Sequence, residues 1–291
     1  MLEFVILIPA LINGLTLGAV YALVALGLTL IYGVLHIINF AHGSLLMVAL
    51  YGVFFLNRAL GVDPYLAIFI MVPALFVLGY ALQRGVIGKA SHGKDQNVLL
   101  VTLGLSIVLE NLAIYLFSAD TRTIDTPYTF EMVDLGVALV ALPRLIAFIA
   151  SLLVAAALWF VIARTDLGRA IRAVAKERQG ARLVGINVDH IFAMSFGIGT
   201  ACLGAAACLL LPSFYVSPHV GHVFVLVAFT VVVLGGMGSF TGALIGGLLI
   251  GVTESLGGLF LGESLGQLGI FLIFIAVLLF RPTGLFGSRL S

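Results

Sequence analysis

The sequence predicts an all-α, polytopic transmembrane bundle of about eight to ten spans, some of them short or broken. Three observations predict it. Hydrophobic residues make up 62% of the 291-residue chain and charged residues 9%, against about 45–50% and 25% in soluble domains. The apolar runs are continuous over helical lengths instead of alternating, which argues against a β-barrel. The 34 glycines and 21 phenylalanines suit a lipid-embedded bundle, where small residues let helices approach closely.

The runs fall at 5–32, 37–57, 64–82, 98–118, 139–163, 191–212, 222–236, 242–261 and 265–280. A span needs about 20 residues, so 222–236 and 265–280 read as half-helices or tilted segments, and a break in the long first run would raise the number. Residues 1–291 form a single transmembrane domain. The first run reads as a retained span, because Glu3 stands where a signal peptide carries Lys or Arg. Cys202 and Cys208 share one run, six residues apart and on different helix faces, so no bridge joins them.

Basic residues set the expected orientation. Of 14 Lys and Arg, three lie in 83–97 (Arg84, Lys89, Lys94), six in 164–190 and two, Arg281 and Arg289, in the tail. Only Arg58, Arg122 and Arg144 lie elsewhere. Acids collect in the opposite segments as Glu3, Asp63, Asp120, Asp125, Glu131, Asp134 and Glu263. The basic loops and the C-terminus are therefore expected in the cytoplasm, with the N-terminus outside. Net charge is +1, which gives no field for nucleic acid.

The segment 166–190 is polar, basic and long enough for two short helices. Ala170, Ile171, Val174 and Ala175 share a face beside Arg169, Arg172 and Lys176. It reads either as a helix lying on anionic headgroups or as a docking surface for a cytoplasmic partner. Gly180, Gly185 and the apolar pair Leu183–Val184 favour a shaped turn.

Two nucleotide-binding lookalikes fail. Residues 88–94 match G-x-x-x-x-G-K, but Asp95 follows where magnesium needs Ser or Thr. The stretch VVVLGGMGSFTG has Thr241 where the dinucleotide fingerprint needs its third glycine. Helix packing explains those glycines better. Gly242 with Gly246, Gly247 with Gly251, and Gly14 with Gly18 are all small-xxx-small pairs. No H-E-x-x-H and no C-x-x-C occurs, and no catalytic residue, metal site or cofactor is expected.

Polar residues inside spans are costly and usually face the bundle interior. Asn13 with Thr16, Asn39 with His42, Glu110 with Asn111, and Glu254 with Ser255 qualify. Each could be a buried pair that locks helices, but Asn39–Gly43 sits at an expected helix break, where broken backbone lines a cavity. As a set they read as a polar path. A self-contained ion-coupled transporter or channel using Glu110, Glu254 and His42 is the rival reading. The segments GVLHIINFAHGSLL and LGGMGSFTGALI each join a glycine-rich span to a second span, a hint of an internal repeat.

Three stretches, LTLIYGVLHIINFAHGSLLMVALY, GRAIRAVAKERQGARLVGINVDHI and VVVLGGMGSFTGALIGGLLIGVTESL, resemble the branched-chain amino-acid ABC transporter permeases. The likeness runs almost end to end and is to the H-type subunit of the leucine/isoleucine/valine importer, with related urea and short-amide permeases sharing much of the pattern. The resemblance implies an ABC importer permease fold in the bacterial inner membrane. It also implies a second permease subunit of M type, two cytoplasmic ATPase subunits, a periplasmic substrate-binding protein and an amino-acid substrate. The chain itself would be no enzyme. The matching docking loop, about 164–190, carries Gly168, Arg169, Arg172, Lys176, Arg178, Arg182 and Gly185. Two departures stand out: Gly180 weakens the docking helix, which is expected to end early there, and Glu110 replaces an uncharged polar residue.

Overall fold

A computed structural model describes residues 2–91, 95–134, 136, 138–281 and 283–286, without the side chains of 2–5, 91, 95, 263–265 and 267. Lys94, Arg289 and the end of the 88–94 lookalike lie outside the described residues, as do the side chains of Glu3 and Glu263.

Nine apolar helices carry the bundle among the described residues. They are α1 (Leu2–Leu35), α2 (His42–Leu60), α3 (Ile68–Leu82), α5 (Asp95–Phe117), α6 (Leu142–Arg164), α9 (Val188–Leu210), α10 (Val220–Gly235), α11 (Phe240–Leu261) and α12 (Glu263–Phe280). Seven are long and apolar enough to cross a membrane, while α10 and the described apolar part of α12 are shorter. The first run is unbroken, with Pro9 inside a helix of 34 residues. Helix α3 continues through a π-helical turn, Gln83–Ile87, into the short α4 (Gly88–Ser91). Two short helices, α7 (Asp166–Lys176) and α8 (Arg178–Leu183), lie between α6 and α9. A small antiparallel hairpin, β1 (Met132–Asp134) with β2 (Leu139–Ala141), leads into α6.

Helices α1 and α9 are enclosed along most of their length, whereas α5, α6 and α11 are enclosed on few positions. Glycine sets the closest contacts. A Cβ on Gly18 would sit 2.7 Å from the Gly247 oxygen, and one on Gly251 would sit 2.4 Å from the Gly14 oxygen. These glycines let α1 and α11 touch backbone to backbone, the approach that small residues permit in lipid. Gly242 turns instead to α10, where its Cβ would collide with the Gly235 carbonyl, and Gly246 faces Val231 there.

The chain is broken at 36–41, between α1 and α2, and again at 236–239, between α10 and α11. The last turn of α1 meets the second break: a Cβ on Gly33 would lie 3.4 Å from the Gly238 Cα. After the first break the chain returns to the interior. The His42 ring Nε2 lies 3.0 Å from the Val24 carbonyl oxygen, and Val24 is about 16 Å along α1 from its end at Leu35 at 1.5 Å per residue.

Loops gather at two ends. At one, Leu35, Gln83, Gly88, Ala175 to Gln179, Arg182 and His190 line a common cavity of about 1130 Å³. At the other, the Tyr128 hydroxyl donates to Asp63 Oδ2 at 2.6 Å and Tyr65 stacks on Tyr128. Burial, followed by the Asp63 carboxylate, raises both tyrosines above their ordinary range. Arg122 bridges to Val216 through paired backbone hydrogen bonds at this end. Cys202 and Cys208 are buried and unbridged.

Candidate functional site

The polar side chains on spans divide into two groups. On α5, Thr102, Ser106 and Glu110 follow at intervals of four residues and so share one face. Each position has a partner on that face. The Phe40 amide donates to Thr102 Oγ1 at 3.4 Å, and Ser106 Oγ lies 2.7 Å from Ser44 Oγ on α2. Glu110 receives two imidazoles from the start of α10: His219 Nδ1 at 2.5 Å and His222 Nε2 at 2.9 Å. The remaining faces of α5 are apolar and uncovered at Leu100, Leu103, Ile107, Val108 and Tyr115.

Asn39 and His42 sit behind this face, fully enclosed. Asn39 Oδ1 accepts from the Ala41 amide at 3.1 Å and so turns the chain into α2. Asn39 Nδ2 and His42 Nδ1 are buried without a partner in the structure, whereas buried polar groups are ordinarily hydrogen-bonded. Asn111 points away and spends its amide on the Ile107 carbonyl at 2.8 Å.

The second group is separate. Asn13 and Glu254 line a cavity of about 730 Å³ between α1, α6, α9 and α11, together with Thr16, Tyr21, Arg144 and Ser255. Arg144 Nη1 donates to Asn13 Oδ1 at 3.0 Å, Ser255 Oγ donates to the Ala10 carbonyl at 2.7 Å, and Glu254 Oε2 is buried without a partner. None of the α5 residues lines this cavity.

The 164–190 segment builds a third surface. Thr165 caps α7 by accepting from the Gly168 amide. Gly168 is required there, since a Cβ would lie 2.1 Å from the Ile162 oxygen. Ile171 and Val174 are buried in the core, so the apolar face of α7 is used on protein and is not free for headgroups. Arg169 pairs with Asp166, and Arg172 donates to the Ile162 carbonyl. Lys176 lines the large cavity. The helical interruption falls at Glu177 (φ −154°) and not at Gly180, which continues inside α8. The cause is local: Glu177 leaves the helix to cap α8 through the Gln179 amide at 3.1 Å. Arg178 lies over the Phe192 ring and donates to the Leu35 carbonyl at 2.6 Å. Arg182 reaches Asp189 at 3.9 Å. Gly185 (φ 85°) then reverses the chain, leaving Leu183 and Val184 89% and 76% exposed.

A formal G-x-S-x-G match, Gly262 to Gly266, joins helix to helix, whereas a nucleophile elbow needs a strand before its serine. The side chain of Ser264 lies outside the described residues.

The sequence profile described as "Branched-chain amino acid transport system / permease component" matches residues 10–280. The chain belongs to that family. The permease is 35% identical to the high-affinity branched-chain amino acid transport system permease protein BraD of Pseudomonas aeruginosa, over 95% of this chain and 94% of the relative. It is 33% identical to the corresponding protein LivH of Escherichia coli, over 98% and 97% of the two chains. A probable branched-chain amino acid transport permease protein of Methanocaldococcus jannaschii is 27% identical over 76% of this chain and 71% of its own length. No solved structure matches the permease.

His219, His222, Ser44, Thr102 and Ser106 were not among the residues singled out from sequence. Two signals were available: the four-residue spacing of Thr102, Ser106 and Glu110, and the H-x-x-H spacing at the start of a short apolar run.

Proposed function

We propose that this permease is one of two membrane subunits of an ATP-driven importer of branched-chain amino acids in the cytoplasmic membrane. The observation that carries the reading is the 35% identity, over 95% of the chain, to a permease named for high-affinity branched-chain amino acid transport. A second permease subunit covers α5, two ATPase subunits hold the basic end, and a binding protein delivers the amino acid at the end carrying Asp63 and Tyr128.

Three features support this arrangement. The apolar outer side of α5 needs a cover, and a paired permease would turn the α5 region into a shared path. Leu183 and Val184 stand exposed among Arg178, Arg182 and Lys176, the mixture of apolar tip and charged rim that suits a protein contact. Arg178 ties that tip to the end of α1, just before the break that leads to Asn39 and His42. A displacement of α8 by the ATPases would thus reach α2 through the end of α1. ATP drives net movement because the ATPase cycle favours inward- and outward-open arrangements in turn.

The orientation follows the basic loops: α7, α8 and the π-turn face the cytoplasm, and the hairpin faces outward. The test is reconstitution of this chain in liposomes with a partner permease, the two ATPases and the binding protein. ATP-dependent leucine uptake is expected. Uptake by this chain alone, driven by a proton or sodium gradient, would overturn the reading. Preferential uptake of urea or a short amide would replace the substrate class and keep the machine.

A further inference from the structure

We propose that Glu110, His219 and His222 form a binding site for a divalent transition-metal ion of the Zn²⁺ class, which joins α5 to the start of α10. The three ligand atoms, one from each residue, lie within 4.8 Å of one another. Two imidazoles and a carboxylate are a donor set for zinc, leaving a fourth position for water. Zinc bonds of about 2.0–2.2 Å place ligand atoms roughly 3.3 Å apart in a tetrahedron. His219 Nδ1 and His222 Nε2 lie 2.5 and 2.9 Å from the carboxylate oxygens, so they must part from the carboxylate by roughly 0.8 and 0.4 Å to admit the ion.

The surroundings favour a cation and allow it to arrive. Among the described residues only the two imidazoles pair with Glu110; no Lys or Arg does so. A dication bound at the three ligand atoms balances the carboxylate charge. The histidine side chains are 59% and 60% exposed while Glu110 is 15% exposed, so the carboxylate is held and the imidazoles are open to entry. The rings lie nearly parallel, 15° apart, because three-residue spacing puts them on one side of the α10 entry. Imidazole donors select zinc, copper or nickel over magnesium or calcium.

The ion acts as a clamp. Helix α5 is anchored by Thr102 on the Phe40 amide, Ser106 on Ser44 and Glu110 on the histidines. A metal converts the last of these from hydrogen bonds into coordinate bonds. In the importer this holds α5 to α10 and slows uptake, a consequence that rests on the transport reading, whereas metal binding does not.

The purified full-length chain, stripped with a chelator, is equilibrated with zinc chloride or magnesium chloride and desalted, and retained metal is measured by mass spectrometry. One equivalent of zinc per chain and no magnesium are expected. Glu110→Gln, His219→Ala and His222→Ala should each lose the zinc while keeping the wild-type elution volume. Zinc should also raise the Tm of the wild type and leave that of His222→Ala unchanged, since an ion held only by the folded state stabilises it. Failure to retain zinc, or equal retention by the His219→Ala/His222→Ala double variant, overturns the site whatever the chain transports. If zinc is retained but leucine uptake by the assembled importer is equally fast with and without it, the clamp is overturned.

Discussion

Arg178 donates a 2.6 Å hydrogen bond to the carbonyl of Leu35, the last residue of α1. The bond joins the α7–α8 segment to the end of a helix that runs through the middle of the bundle. Helix C-termini leave carbonyls without internal partners, so the guanidinium satisfies one of them and complements the negative end of the helix dipole. Leu35 is also the residue after which the chain breaks.

Arg178→Ala should therefore separate ATP hydrolysis from transport. Hydrogen bonds to charged groups contribute about 1.5–3 kcal/mol, so leucine uptake should fall roughly ten- to a hundredfold. ATPase activity of the assembled complex should persist. Normal uptake in reconstituted vesicles would show that α8 and α1 do not move as a unit.

Leu183→Asp and Val184→Asp should leave the isolated chain intact, because both side chains stand in the open and surface changes usually stay within about 0.5 kcal/mol. Co-purification of the ATPase subunits should drop at least tenfold. Undiminished association would place the docking surface elsewhere.

Gly251→Val should damage the fold. A Cβ there would stand 2.4 Å from Gly14 O and Gly18 Cα, and overpacking of this kind costs typically 1–3 kcal/mol. Gly104→Ala serves as the control, since nothing lies within 4 Å of a Cβ there and alanine is the better helix former by up to about 1 kcal/mol. Thermal unfolding in detergent should rank Gly104→Ala at or above wild type and Gly251→Val well below.

The Tyr65–Tyr128–Asp63 contact should weaken in alkali. Both tyrosines are raised above their ordinary range by burial and by Asp63, so in the unfolded chain their protons leave first, near pH 10. Above that pH the unfolded state binds fewer protons than the folded one, and stability falls as pH rises. Tyr128→Phe removes its share of the slope. Identical alkaline unfolding curves for wild type and variant would contradict this.

The fold class was readable because it depends on composition and run length, both local properties. A break near Asn39 was also readable, from polar residues within an apolar stretch, but it was expected at Asn39–Gly43 and falls at 36–41, with His42 and Gly43 already in α2. What lay beyond reach were pairings across long sequence separations. The spacing of Gly14 and Gly18 marks a face for close approach, but only the structure gives α11 as the partner. Glu110 was grouped with its neighbour Asn111, because its histidines stand more than a hundred residues later. Grouping Asn13 and Glu254 with Asn39, His42 and Glu110 as one path came from polarity alone. The packing of α1 puts Asn13 and Glu254 around a different cavity from the α5 face. The end of α7 was misplaced because propensity flagged Gly180, while the actual interruption is a cap formed by Glu177.

The meeting of the last turn of α1 with the second break, at Gly33 and Gly238, has a mechanical meaning. Where side chains interlock they resist sliding, as close-packed interiors do. At this point the helical backbone of α1 passes the irregular backbone at 236–239 with no side chains from these glycines between them. Such a contact holds no buried side chain that a change of tilt between α1 and α10 would have to extract from a socket.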